Sequence, residues 1–259
     1  IRRQRQMCIR DRDMRATDKV VEFIQTTQLS DIPGEVRHLG KRAILDTLGV
    51  ALAGADDESV RILLETMAGR QGDSRASLIG NGRRTDSFSA ALINGTMAHA
   101  LDYDDVNESC MGHPSAPILP AIIALGEESD KSGADVLEAF LVGFELECKL
   151  GSAIGRSHYG KGWHATATLG TIGAAAACAK LMCLDSKTTE TALGIAASLA
   201  SGIRSNFGTM TKPLHVGEAS RNGVLASLLS SKGFTATANV FDHPIDFGQV
   251  FSEDKLNKD

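Results

Sequence analysis

Apolar residues recur along this chain at three- and four-residue intervals, the spacing of helices that bury one face. Asp18–Thr27 reads as a short amphipathic helix. Asp31, Ile32 and Pro33 then open a longer one, with Val36, Leu39, Ala43, Ile44, Leu48 and Ala51 on its apolar face and Gly54 as its stop. Ser59–Ala68 is a third, and Ser77–Ile79 is at most a token strand between polar turns. Asp86 or Ser87 caps a helix through Ala90, Ala91, Ile93 and Met97 to Leu101. Ser115 caps the next, and Ser132 with Asp135 forms a capping box ahead of Val136–Ile154. His164 begins a helix in which seven of the ten residues 170–179 are Gly or Ala, so it is buried and neighbouring backbones approach it closely. Asp185 or Ser186 caps another through Ile195 and Leu199, and Val216–Lys232 is the last periodic segment.

About nine helices and no convincing strand predict an all-α fold, a multi-helix bundle with buried Gly/Ala-rich helices, over residues 15–235. The pattern weakens after Thr235, so 236–259 is expected to be an irregular tail. Residues 1–14 lack helical periodicity, an apolar core and a cleavage signature, and are set apart as a non-native or disordered segment.

Composition narrows the class. Residues 1–15 hold six Arg against two Asp, so 16–259 carry −9 of the chain's net −5, which argues against nucleic acid as a partner. No apolar run approaches the roughly 18–20 residues of a membrane span, so no membrane association is expected. Five scattered cysteines without C-x-x-C spacing point to a reducing cytoplasm.

Residues 91–118 gather three aspartates, a glutamate and two histidines in the middle of this Ala/Leu-rich helical pattern. Two later segments, Gly160–His164 and Asn206–His215, look like partners for one pocket. Lys212 precedes Pro213, which predicts an extended loop; Arg204, Thr209, Thr211 and His215 nearby suggest an anion-binding cluster. His164 stands at a helix start, where the dipole disfavours the imidazolium and leaves a neutral base or hydrogen-bond donor. His113 is held before Pro114. Asp102, Asp104 and Asp105 read equally as a solvated acidic turn, a Mg²⁺ site, or carboxylates that orient His and Lys. His38, His99, His158 and His243 read as structural or surface residues. GTIGAA (170–175) follows helix rather than strand and fails as a dinucleotide loop, and no G-x-S-x-G or Walker pattern occurs. Two histidines, a lysine and an orienting aspartate are enough for proton transfer α to a carboxylate, with no cofactor.

The text AILDTLGVALAG (43–54), NGTMAHALDYDD (94–105), GHPSAPILPA (112–121), GWHATATLGTIGAAAA (162–177) and the run 192–229 containing NFGTMTKPLH resembles the MmgE/PrpD family over essentially residues 15–250. That resemblance implies an all-α domain followed by an α+β lid that this chain does not reach, a homodimer, and no metal or organic cofactor. It assigns catalysis to Asp102, His113, His164 and Lys212, and Arg204, Thr211 and Asp105 are added as expected contacts to a small carboxylate substrate. The default activity is that of a lyase of the 2-methylcitrate dehydratase type. Decarboxylation of cis-aconitate or epimerisation of a related acid are the alternatives within the family. An inactive helical fragment or dimerisation scaffold, and a Mg²⁺-dependent enzyme using DYDD, are the rivals outside it.

Overall fold

The computed structural model describes residues 14–68, 75–253 and 256–258; the expectation for residues 1–13 lies outside them. Among the described residues there are eleven α-helices and one two-stranded hairpin. In chain order the helices are α1 (Ala16–Thr26), α2 (Gly34–Ala53), α3 (Glu58–Met67), α4 (Ser87–His99), α5 (Ser115–Glu128) and α6 (Gly133–Ile154). They continue as α7 (Arg156–Gly160), α8 (Ala165–Leu181), α9 (Ser186–Leu199), α10 (Thr211–Ser231) and α11 (Phe247–Phe251). Strands β1 (Ala76–Ser77) and β2 (Arg84–Thr85) pair antiparallel, Ala76 opposite Thr85. The all-α expectation holds, and no helix among the described residues is long and apolar enough to cross a membrane.

Most of the expected caps form: Asp86 and Asp185 each accept a backbone N–H of the first turn of α4 and α9, and Ser132 with Asp135 makes the capping box of α6; Asp57 caps α3 in the same way. Ser115, expected to cap α5, is instead its first residue, and its hydroxyl donates to Asp105. Helix α8 is buried at every position but Lys180, as its Gly/Ala content predicts. It packs against α5, α6 and α10, while α10 also packs along α4. The α4–α10 seam is closed by small residues. A Cβ on Gly217 would lie 2.3 Å from the carbonyl oxygen of Leu92, and one on Gly95 would lie 2.9 Å from the Cα of Gly217. Only glycines let these two backbones come so near, and this contact sets where the start of α10 falls relative to the end of α4.

Three local expectations are corrected. Helix α10 begins at Thr211, not Val216, so Lys212 lies in its first turn rather than on an extended loop. Pro213 is its third residue, where a missing N–H leaves no bond unmade, and turns closed by Thr209 N–H and Lys212 N–H lead the chain into the helix. Val36 and Leu39 are about half exposed, because the face they share with Phe23, Phe140 and Phe144 flanks an open groove of about 420 Å³. The segment after Thr235 is less irregular than its pattern suggests. Phe241, Phe247 and Phe251 are buried there, and Asp242 accepts the N–H groups of Ala16 and Thr17 at 2.8 Å, capping α1 from the far end of the chain.

Candidate active site

The end of α4 and the starts of α5, α8 and α10 meet in one place. His99 is the last residue of α4, and the chain then turns through Asp102 at φ 52°, a left-handed conformation that Asp tolerates better than most residues. This bend presents the Asp102 carboxylate to the Lys212 ammonium, which donates to it in a short hydrogen bond. The next residues are pinned from both sides. Asp105 accepts the Ser115 hydroxyl at 2.6 Å and its N–H at 3.2 Å, fixing the start of α5. Asn107 and Gly112 form an antiparallel bridge, and the His113 N–H donates to the Thr166 hydroxyl at the start of α8. On the other side, His164 N–H donates to the Gly202 carbonyl and Arg204 N–H to that of Gly162, at 3.0 and 2.8 Å. That pairing lays the 162–164 segment beside the stretch that leads into α10.

Four imidazoles surround the Asp102–Lys212 pair. The rings of His99 and His113 are 4.7 Å apart, those of His99 and His164 5.6 Å, and those of His164 and His215 5.4 Å. Asp104, fully buried at its side chain, takes the His99 Nδ1–H on both oxygens at 2.9 and 3.0 Å and stands 3.4 Å from His113 Nδ1. His113 Nε2 is 3.6 Å and His99 Nε2 4.0 Å from Asp102 Oδ1. The Nδ1 atoms of His164 and His215 are 3.2 Å apart. One must carry the hydrogen and the other the lone pair, so the two rings are locked in complementary tautomers. Phe207 closes the cluster, its ring centre 4.9 Å from that of His164 in a T-shaped arrangement and 5.3 Å from the Lys212 nitrogen.

The electrostatics favour the neutral forms of His113, His164 and His215. Burial lowers the pKa of His113, with the charges of His99 and Lys212 adding to it and Asp104 and Asp102 opposing. Burial, then His99, His215, Lys212 and His113, take His164 down to about 2. His215 is lowered by burial and by His99. Asp102 goes the other way from what its burial alone would do: the Lys212 hydrogen bond and charge, helped by His99 and His113, outweigh desolvation and hold it below the usual carboxylate range. The side chain of Asp102 is 58 % exposed and that of Lys212 only 13 %, so solvent reaches the pair from the Asp102 side.

The structure therefore brings Asp102, His113, His164 and Lys212 together as expected. It also supplies His99 and His215. His99 had been set aside as structural or surface. It is buried, but against Asp104 and the site's other rings, and its position three and five residues before Asp102 and Asp104 at a helix end is the signal that could have found it. Asp105 and Arg204 are committed elsewhere. Both oxygens of Asp105 serve Ser115, and desolvation raises its pKa to about 6 despite those bonds. The Arg204 guanidinium lies 3.7 Å over the Tyr159 ring and donates to the Tyr159 carbonyl oxygen. Thr211 opens α10, its N–H donating to the Thr209 hydroxyl. Donor atoms of His99, Asp102, Asp104 and His113 fall within 4.8 Å of one another, a spread that would suit a metal ion. The Lys212 ammonium already sits on Asp102, however, and would repel a cation there.

The profile of the MmgE/PrpD N-terminal domain matches residues 18–258. Among curated proteins, the chain is 32 % identical over 235 residues to the cis-aconitate decarboxylase-like protein oryM of Aspergillus oryzae, covering 87 % of this chain and 49 % of that protein. It is 32 % identical over 242 residues to cis-aconitate decarboxylase of Homo sapiens, covering 91 % and 50 %, and 32 % identical over 233 residues to that of Aspergillus terreus, covering 87 % and 48 %. The chain thus spans about half the length of the curated relatives it matches.

Proposed function

The chain belongs to the MmgE/PrpD family, and from that premise we propose that it carries the acid–base and carboxylate-binding groups of a lyase for a small tricarboxylate, with decarboxylation of a cis-aconitate-type acid as the reaction. The relatives move this choice ahead of 2-methylcitrate dehydration, which the residues and the resemblance had put first. The observation that carries the reading is the Lys212–Asp102 pair ringed by imidazoles that their surroundings keep neutral.

Three features suit a polyanionic substrate. Lys212 supplies a fixed ammonium, the starts of α5, α8 and α10 direct the positive ends of their dipoles to the same place, and Asp102 faces solvent, so an incoming carboxylate can compete for Lys212. Thr211, next to Lys212 in the first turn, is placed to hydrogen-bond the same carboxylate. Decarboxylation breaks the bond from carbon to one carboxylate, which leaves as CO₂. The electron pair left on that carbon shifts into the neighbouring C=C, whose far carbon takes up one proton, so the double bond moves to the carbon that lost CO₂ and each turnover consumes a proton. Lys212 neutralises a carboxylate that remains. His113, partly open to solvent, would relay to that carbon a proton taken up from water, returning to its neutral form afterwards. His164, neutral and held by His215, orients the substrate as a hydrogen-bond partner.

Proton NMR in D₂O with cis-aconitate, 2-methylcitrate and related acids tests this. Cis-aconitate should lose CO₂ and gain vinylic signals with deuterium incorporated, and Lys212→Ala should lower the rate by on the order of 10² or more. EDTA should leave the rate unchanged; a loss would support the Mg²⁺ reading instead. If no acid changes, and Lys212→Ala leaves every ligand-induced shift in melting temperature as it was, the lyase reading is wrong and the scaffold reading takes its place.

A further inference from the structure

We propose that His99, His113 and Asp102 form a binding site for a zinc ion, with Asp104 orienting both imidazoles from behind and Lys212 as the cation that the metal must displace. Zinc held there is an inhibitor, not a cofactor. The site stands on its own geometry, and only its consequence for turnover rests on the lyase reading.

The two histidines span the same pair of carboxylates. His99 turns Nδ1 to the oxygens of Asp104 at 2.9 and 3.0 Å and Nε2 to Asp102 Oδ1 at 4.0 Å. His113 is set the same way, with Nδ1 3.4 Å from Asp104 and Nε2 3.6 Å from Asp102 Oδ1. The rings lie 4.7 Å apart in a T-shaped arrangement, so both Nε2 atoms face one carboxylate oxygen. Donors at ~2.0–2.1 Å from a tetrahedral zinc stand ~3.3–3.4 Å from one another. The observed separations are a little wider, and Asp102, the most exposed of the three side chains, is the ligand that can close on the rings.

An unmet lone pair marks the spot. With its Nδ1–H given to Asp104, His99 carries a lone pair on Nε2. His99 is 1 % exposed, and this nitrogen is buried with no hydrogen-bond partner among the described residues. It faces Asp102 Oδ1, so two acceptors meet with no proton between them, a costly arrangement that a cation relieves. A carboxylate behind the Nδ1–H of a ligating histidine fixes the ring's tautomer and raises its basicity toward a metal. Asp104, itself buried, stands in that place for His99 and beside Nδ1 of His113. Two imidazoles and a carboxylate select zinc, whereas magnesium and calcium want more ligands and nearly all of them oxygen.

Lys212 governs occupancy. Its ammonium donates to Asp102 and repels a dication, so zinc and Lys212 compete for one carboxylate. In the lyase reading, zinc takes the Nε2 lone pair of His113 and the Asp102 carboxylate together, and the proton relay stops.

The test is calorimetric titration of the tag-free, metal-stripped chain with zinc chloride, then with magnesium chloride, in the absence of any carboxylic acid. One zinc ion per chain should bind, and magnesium should not. X-ray absorption at the zinc edge should show two imidazoles with nitrogen and oxygen scatterers at ~2.0–2.1 Å. His113→Gln should abolish the one-to-one uptake, and Asp104→Asn should weaken it by roughly 10–100-fold. Lys212→Met should tighten it by on the order of tenfold or more, because a repelling charge is gone and Asp102 is freed. No saturable zinc uptake by the wild type would overturn the proposal. So would uptake unchanged in His113→Gln, which places the metal elsewhere on the chain, or uptake that Lys212→Met weakens or leaves unaltered. If the chain turns over cis-aconitate, zinc should inhibit it and EDTA restore it, and full activity in the zinc-loaded chain would overturn the placement at His113. If no acid is turned over, the lyase reading fails while the calorimetry and the absorption spectrum still decide the site.

Discussion

Replacing Glu147 by Met should stabilise this chain. Glu147 lies within α6, is fully buried, and neither of its carboxyl oxygens has a hydrogen-bond partner among the described residues. It fills a slot left by the glycines of α8: a Cβ on Gly173 would come within 2.8 Å of Oε2. Desolvation, with smaller contributions from Cys110 and Asp105, pushes its pKa well above the ordinary glutamate value. Burying an unpartnered polar group costs about 1–3 kcal/mol in mutational data. Met keeps the length and flexibility of the side chain and removes the polar group. Glu147→Met should therefore gain about 1–3 kcal/mol near pH 7, or ~2–4 °C in Tm for each kcal/mol in a chain of this size. The sign of the pH dependence is fixed by linkage. Unfolded glutamate ionises near ~4.3, whereas folded Glu147 ionises only at higher pH. Its contribution to wild-type stability is thus intact below the unfolded value and lost as pH rises toward the folded one. The advantage of Glu147→Met should widen between about pH 4 and pH 7, read as a shift in urea midpoint at constant slope. A variant less stable than wild type at pH 7, or an advantage that does not change with pH, would refute the reasoning.

Two further predictions concern what holds the site in place. Asp105 has its pKa raised to about 6, chiefly by burial, so its contribution is intact below the unfolded value of ~3.9 and is lost as pH rises through about 6. Asp105→Asn should remove a loss of roughly 3 kcal/mol from the stability profile between those values, and a profile that keeps the same slope would place the titration elsewhere. Gly217→Ala should destabilise by about 1–3 kcal/mol, since the new methyl meets the Leu92 carbonyl oxygen at 2.3 Å. It should also weaken carboxylate binding by shifting Lys212 away from Asp102, and a stable variant with unchanged ligand-induced Tm shift would show that the α4–α10 seam does not set that distance.

Several helices were legible because their starts are marked by a side chain that does one local job. Asp86, Ser132 and Asp185 cap as their spacing implies. Asp102, His113, His164 and Lys212 could be nominated because acidic, basic and imidazole groups stand out in an Ala/Leu-rich chain. What stayed hidden depends on neighbours distant in sequence. The bias of a residue before proline toward extended structure misplaced Lys212, because a helix entered through tight turns accepts Pro213 in its first turn. The roles of His99 and Asp105 could not be separated by residue type, since one faces the rings of His113 and His164 and the other faces Ser115. The contacts of Arg204 with Tyr159, 45 residues away in sequence, are of a kind no local spacing announces. The half-exposed Val36 and Leu39 follow a helical period faithfully, but a period cannot say whether the facing element fills the space.

Strain and support are arranged on the same short stretch. Asp102 and Met111 both adopt positive φ, at 52° and 48°, conformations that cost non-glycine residues about 1 kcal/mol or more and persist only where the surroundings fix them. The fixing contacts lie between and beside them: the Asn107–Gly112 bridge, the Asp105–Ser115 bonds and the His113–Thr166 bond. None of these bonds uses the Lys212 ammonium or an imidazole ring. The bends that aim Asp102 and His113 are thus maintained by bonds separate from the imidazole cluster, whose side chains keep their hydrogen-bonding capacity for one another. This division explains why Asp104 and Asp105, adjacent in sequence and alike in chemistry, do different work. The chain reverses its facing between them, so Asp104 joins the imidazoles and Asp105 secures the helix that positions them.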